Sequence, residues 1–249
     1  MWDAGNFAAV AEKILESGEL VVERAGVEPG MDVLDVACGT GNASIPAARA
    51  GARVTGLDFA RGLLEIARER AADAMVEIEF VEGDAQELPF EDASFDRVVS
   101  TFGHMFAPDH ARAAAEMTRV LRPQGVIAVA CWTPEGSIGR MSQTIAELVP
   151  PPPDAQPPLL WGTEDHIRDL WGEADFERHA IEWTDESPES YARFMLDSFG
   201  PLLNARERLA ERADELDEAL TNFLRSENEA DDGTLRFRGE YLLSVVTRG

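Results

Sequence analysis

The sequence predicts an α/β fold: a doubly wound, mostly parallel sheet in a chain of 249 residues. Three observations carry this. Short apolar runs alternate with helical patterns over roughly half of the chain, as in a parallel sheet covered on both faces. The first run, DVLDVA at 32–37, has the near-continuous apolar character of a buried strand. A glycine-rich segment, Cys38-Gly39-Thr40-Gly41, follows it directly.

Residues 7–25 read as one amphipathic helix, with Phe7, Val10, Ala11, Ile14 and Leu15 at helical spacing and Gly18 weakening its middle. Gly26 and Pro29-Gly30 end it. The strand at 32–37 turns through the glycines into a short helix that reaches about Gly51. A strand at 53–57 precedes a helix at 60–73, and a third strand covers 76–82. The fourth strand is 95–101, followed by a helix at 109–121. The turn Arg122-Pro123-Gln124-Gly125 opens a fifth strand at 126–132. The pattern then changes. Residues 150–158 hold six prolines in nine, which excludes helix and central strand and predicts an extended surface path. A helix at 164–171, a strand at 176–183, helices at 188–199 and 204–224 and a last strand at 241–247 complete the reading. The chain divides into a cap helix (1–27), a core (28–132), a late helical lid over the substrate (133–239) and the closing strand (240–249), all one domain.

Composition excludes several functions. The 47 acidic residues outnumber the 22 basic ones, for a net charge of −25. Nucleic acids and anionic membranes need a basic surface, so neither is expected as a partner. Lys13 is the one lysine; every other basic residue is arginine. No apolar run is long enough to span a membrane and no secretory signal opens the chain. Two cysteines, Cys38 and Cys131, make no disulfide framework, which favours a reducing cytoplasm. No His/Cys/Asp cluster has metal-ligand spacing, and the acidic run 227–232 reads as a solvated loop.

A glycine turn after a strand lets the backbone approach a ligand closely, and the next helix offers free N–H groups. Alone it serves a dinucleotide, another adenosine ligand, or a tight turn and nothing more. Three acids narrow the choice. Asp35 lies inside the first strand, where a carboxylate suits an ammonium and not a pyrophosphate. Ser44 stands where the third glycine of a dinucleotide fingerprint belongs, which counts against a nicotinamide-dependent reductase. Asp58 ends the second strand, placed to take both hydroxyls of a ribose. Asp84 follows the third strand, where an acid can accept from an adenine amine. Each also fits a local role: Asp35 capping the turn, Asp58 capping the following helix, Asp84 as a turn residue.

At this point the sequence resembles the class I S-adenosylmethionine-dependent methyltransferases. The resemblance covers about residues 28–135 and rests on VLDVACGTG (33–41), VTGLD (54–58), EGDAQELPF (82–90), FDRVVS (95–100) and RVLRPQG (119–125). The nearest general likeness is to the quinone-biosynthesis and secondary-metabolite group. Ala37 and Gln124 depart from it, each standing where the family commonly has glycine. The resemblance implies a Rossmann-like, seven-stranded sheet with an antiparallel last strand. It implies S-adenosylmethionine as cofactor, with Asp35 near its amine, Asp58 on its ribose, and Asp84 and the Ala85 backbone at its adenine. Ala37, Gly39, Gly41, Phe59, Thr101 and Phe102 would border the same ligand.

It also places the segment after the fourth strand beside the cofactor's methionine part, making His104 the expected base, with a packing histidine as the alternative. Phe7, Met105, Phe106, Trp132 and Trp161 are the expected acceptor pocket, with core packing as the other reading of the two tryptophans; Trp2 is expected to fold over the cofactor with Phe7. The expected function is methyl transfer to a small molecule by in-line displacement, working mainly by alignment. A non-catalytic cofactor-binding module is the alternative.

Overall fold

The computed structural model describes residues 6–151 and 155–249. Seven strands form one sheet in the order β3-β2-β1-β4-β5-β7-β6. They are β1 (Asp32–Val36), β2 (Arg53–Asp58), β3 (Ile78–Glu82), β4 (Phe95–Thr101), β5 (Leu121–Trp132), β6 (Asp175–Asp185) and β7 (Leu235–Thr247). β1 to β5 are parallel, and β7 runs antiparallel to both its neighbours, β5 and β6. The seven-stranded, mostly parallel expectation is met. β1 is the topological switch: the chain winds to β2 on one side and reaches β4 on the other, which opens a crevice at the carboxyl ends of the strands.

Helices α3 (Ser44–Arg49), α4 (Arg61–Asp73), α5 (His110–Val120) and α7 (Glu164–Trp171) match the expected positions closely. The helix expected over 7–25 is two, α1 (Phe7–Glu12) and α2 (Leu15–Arg24), and the break falls at Lys13-Ile14, not at Gly18. Gly18 has a packing reason instead. A Cβ there would lie 2.2 Å from the Asn42 carbonyl oxygen, so glycine lets α2 press onto the turn after β1. The helix expected at 204–224 is likewise divided into α9 (Gly200–Leu209) and α10 (Ala213–Glu227), after α8 (Pro188–Ser198). Ala210, between them, takes a left-handed φ of +50°. Helix α6 (Ser137–Leu148) had no counterpart in the sequence reading. β7 begins at Leu235 and not at 241, and it pairs with β6 along the whole of that strand. Of the proline run, Pro150, Pro151, Gln156 and Pro157 are exposed, while 152–154 lie outside the described residues, as does Trp2. Among the described residues no helix is long and apolar enough to cross a membrane.

The segment read as a turn at 122–125 lies within β5, where the register against β4 shifts. Gln124 has a φ of +62° there, so the left-handed backbone is kept although glycine is not. Gln124→Gly should therefore stabilise the protein by about 0.5–1 kcal/mol, the relief of a left-handed side chain less the added chain entropy. Urea unfolding measures this, and a lower midpoint would contradict it.

Candidate active site

The site is built where β1, β2 and β4 end. After Val36 the chain turns through Ala37 (φ +54°), Gly39 (φ +54°) and Gly41 (φ +86°). Asp58, at the end of β2, ties this turn to the start of α4. One carboxylate oxygen accepts from the Gly39 N–H and the other from the Ala60 N–H, each at 2.8 Å. The loop after β4 is pressed against the turn from the other side. Phe102 has a φ of +58°, and a Cβ on Gly103 would lie 2.3 Å from the Ala37 carbonyl oxygen.

Asp35 is fully buried one layer behind the turn. The Ser44 hydroxyl donates to Oδ2 at 2.6 Å, and Oδ1 has no hydrogen-bond partner among the described residues. Burial, with a smaller contribution from the Asp58 charge, pushes its carboxyl up to about 7.

A cavity of about 430 Å³ opens over these elements. At one end its wall is Ala37, Cys38, Gly39, Thr40, Asp58, Phe59, Thr101 and Phe102. The other end is an apolar chamber closed by α1, α6, α8 and α9. Phe102 and Trp132, both on the wall, stack with centroids 4.0 Å apart and planes within 8°. Phe7, Met105, Phe106 and Trp132 line the cavity as expected from sequence.

Several expected residues lie elsewhere. His104 is not on the cavity wall. The 3-10 turn His104–Phe106 directs Met105 and Phe106 to the cavity and His104 into the core. Its ring meets Trp161 edge-on at 4.7 Å, Nδ1 sits 3.0 Å from the Ser100 hydroxyl, and burial drives its pKa down to about 3. The neutral, enclosed imidazole is the packing histidine and not a base positioned at a ligand. Trp161 is also fully buried behind the wall, against His104, His110 and Trp171. Gly41 faces Ile45 and Ala67 inside the fold. Asp84 is exposed, accepts from the Gln86 backbone N–H at 2.8 Å in a local turn, and does not line the cavity; Ala85 packs at the core edge. Sequence reasoning missed the α6 wall, although Ile138, Met141, Ile145 and Val149 carry a helical apolar spacing that would have found it.

Residues 33–125 match the model of the methyltransferase domain family. An uncharacterised protein of Mycobacterium tuberculosis is 40% identical, over 85% of this chain and 80% of its own length. The demethylmenaquinone methyltransferase of Staphylococcus aureus is 46% identical over 43% of this chain and 45% of its own. Over residues 33–125 the chain is a class I S-adenosylmethionine-dependent methyltransferase domain. A second M. tuberculosis relative is 45% identical, and the match spans 64% of that protein's length. The crystal structure of a putative methyltransferase from Bacillus halodurans has the same fold, with a TM-score of 0.63 at 19% identity over 94% of this chain and 99% of that one.

The family's cofactor is S-adenosylmethionine, and the residues of this methyltransferase fit it. The left-handed turn brings backbone and not side chains to the cavity at Gly39. Asp58 is a carboxylate acceptor at the wall, and Asp35 lies buried behind it, its Oδ1 without a hydrogen-bond partner among the described residues.

Proposed function

We propose that the chain transfers a methyl group from S-adenosylmethionine to a small-molecule acceptor held in the same cavity. The observation that supports this is continuity: one cavity joins the glycine turn and Asp58 to the apolar chamber behind α6, α8 and α9. When bound, the cofactor supplies a methyl group made electrophilic by a positively charged sulfur. Asp58 takes the ribose hydroxyls, and the Ala37–Thr40 backbone, Phe59 and Thr101 border the rest. The stacked Phe102 and Trp132 hold the boundary of the chamber dry, which strengthens alignment and keeps water from competing. Burial pushes both remaining titratable wall groups, Cys38 and Tyr191, well above their usual range. Neither is a base at neutral pH, so alignment carries the catalysis. The test is incubation with S-adenosylmethionine and an acceptor panel, reading S-adenosylhomocysteine. Turnover above background supports the reading. Tight cofactor binding with no turnover on any acceptor favours the non-catalytic module.

Asp35 acts from behind the wall as a buried charge on the ligand's ammonium. A bound cation favours its ionised form, so binding releases a proton from a carboxyl that titrates near 7 in the free protein. S-Adenosylhomocysteine affinity should rise with pH from 5.5 to about 7 and then level off, and Asp35→Asn should flatten that profile. The linkage for folding has the opposite sign. A carboxyl raised above its unfolded value stabilises below about pH 4, and that contribution is lost as pH climbs through 7. Ligand-free Asp35→Asn should therefore melt above wild type at pH 8. An unchanged calorimetric pH profile in the variant would contradict this role.

A further inference from the structure

The chamber end of the cavity is walled by Ile138, Met141, Ile145, Met195, Phe199 and Leu202. Among the described residues the whole cavity wall carries one charged side chain, Asp58, and that lies at the cofactor end. No lysine, arginine or histidine lines it. The nearby Lys13 is held over the Tyr191 and Phe194 rings, its Nζ 5.8 and 5.4 Å from their centroids.

Of the wall's polar groups, those of Ser142, Asn42 and Thr40 are engaged within the fold, whereas the Tyr191 hydroxyl and the Trp183 indole N–H have no hydrogen-bond partner among the described residues. The Ser142 hydroxyl donates to the Ile138 carbonyl at 2.9 Å. Asn42 donates to the Ala11 carbonyl and accepts from Arg70, which also donates to the Thr40 hydroxyl. An anionic acceptor entering this chamber would give up its hydration and find no counter-ion, only the two neutral donors of Tyr191 and Trp183, which suit one uncharged oxygen of an otherwise apolar molecule. A cationic one would find no carboxylate at the chamber end.

We infer that the methyl acceptor is an uncharged, largely hydrocarbon molecule, and that the chamber rejects carboxylates, phosphates and ammonium compounds. The inference rests on the methyltransferase reading of the same cavity. The three thioethers of Met105, Met141 and Met195 on the wall give the chamber an adaptable lining, suited to several hydrocarbon shapes and not to one.

Titration calorimetry at saturating S-adenosylhomocysteine and pH 7 tests this with three probes of one shape: 2-naphthol, 2-naphthoate and 2-naphthylmethylammonium. The neutral probe should bind, and each charged probe at least tenfold more weakly. Equal or tighter binding of either charged probe, or no binding of 2-naphthol, overturns the inference. If S-adenosylhomocysteine itself does not bind, the methyltransferase reading fails instead. Ile145→Arg places a cation on the half-buried chamber side of α6 and should tighten 2-naphthoate at least tenfold relative to wild type, with folding checked by circular dichroism. The wild-type series decides the matter even if that variant does not fold.

Discussion

Gly103→Ala should destabilise the protein by about 3 kcal/mol and weaken S-adenosylhomocysteine binding at least tenfold. The added Cβ would lie 2.3 Å from the Ala37 carbonyl oxygen and 2.7 Å from its Cβ. Neither atom is the far end of a flexible side chain. Relief requires the turn after β1 to move, and that turn is pinned by the Gly39 N–H on Asp58 and the Cys38 N–H on the Leu57 carbonyl. The two losses therefore arise from one displacement. Ala37→Gly in the same chain removes the methyl contact but not the carbonyl contact, so it should restore only part of the stability. Urea unfolding and calorimetry on the single and double variants test this. A Gly103→Ala protein with wild-type unfolding and affinity would show that the loop and the turn are not in contact.

Asp58→Asn should raise the dissociation constant for S-adenosylhomocysteine by about 30- to 100-fold and lower stability by about 1–2 kcal/mol. Each carboxylate oxygen accepts a backbone N–H, one from Gly39 and one from Ala60. An amide has one acceptor oxygen, so its NH2 must face one of those donors. The variant then loses either the turn's anchor or the bond to the Ala60 N–H ahead of α4, besides a charged partner for ribose hydroxyls. The two consequences separate experimentally. A stability loss with unchanged affinity would leave Asp58 its structural role and remove the ribose assignment.

Asp58 also shows what the sequence can and cannot convey. Its position at the end of a strand was legible, because a short apolar run with glycine punctuation marks where β2 stops. Its carboxylate accepts from the Ala60 N–H just ahead of α4 and also lines the cavity. β4 (Phe95–Thr101) and α7 (Glu164–Trp171) were placed to the residue, since each is bounded by turn or capping residues. His104 failed for a physical reason. Sequence locates the segment that passes the site, but within the one 3-10 turn Met105 and Phe106 face the cavity while His104 does not, and nothing in the residue types says which of the three is turned away. Asp84 failed similarly, because an aspartate beside glycine closes a local turn as readily as it meets an adenine. The break between α1 and α2 left no trace, as Lys13 and Ile14 are ordinary helix residues. The α6 wall did leave one, in the apolar spacing of Ile138, Met141, Ile145 and Val149.

The position of β7 has a further consequence, for the order in which the molecule assembles during synthesis. β6 touches the sheet only through β7, and β7 contains the last residues of the sheet to leave the ribosome. The five parallel strands, the glycine turn and Asp58 can be complete while β6 still lacks any neighbour. Trp183 acquires its cross-strand partner Phe237, and Trp132 its partner Tyr241, when residues 235–247 slot between β5 and β6. The half of the sheet that carries the glycine turn can thus pair first, and the half that carries β6 is completed only once β7 has been made.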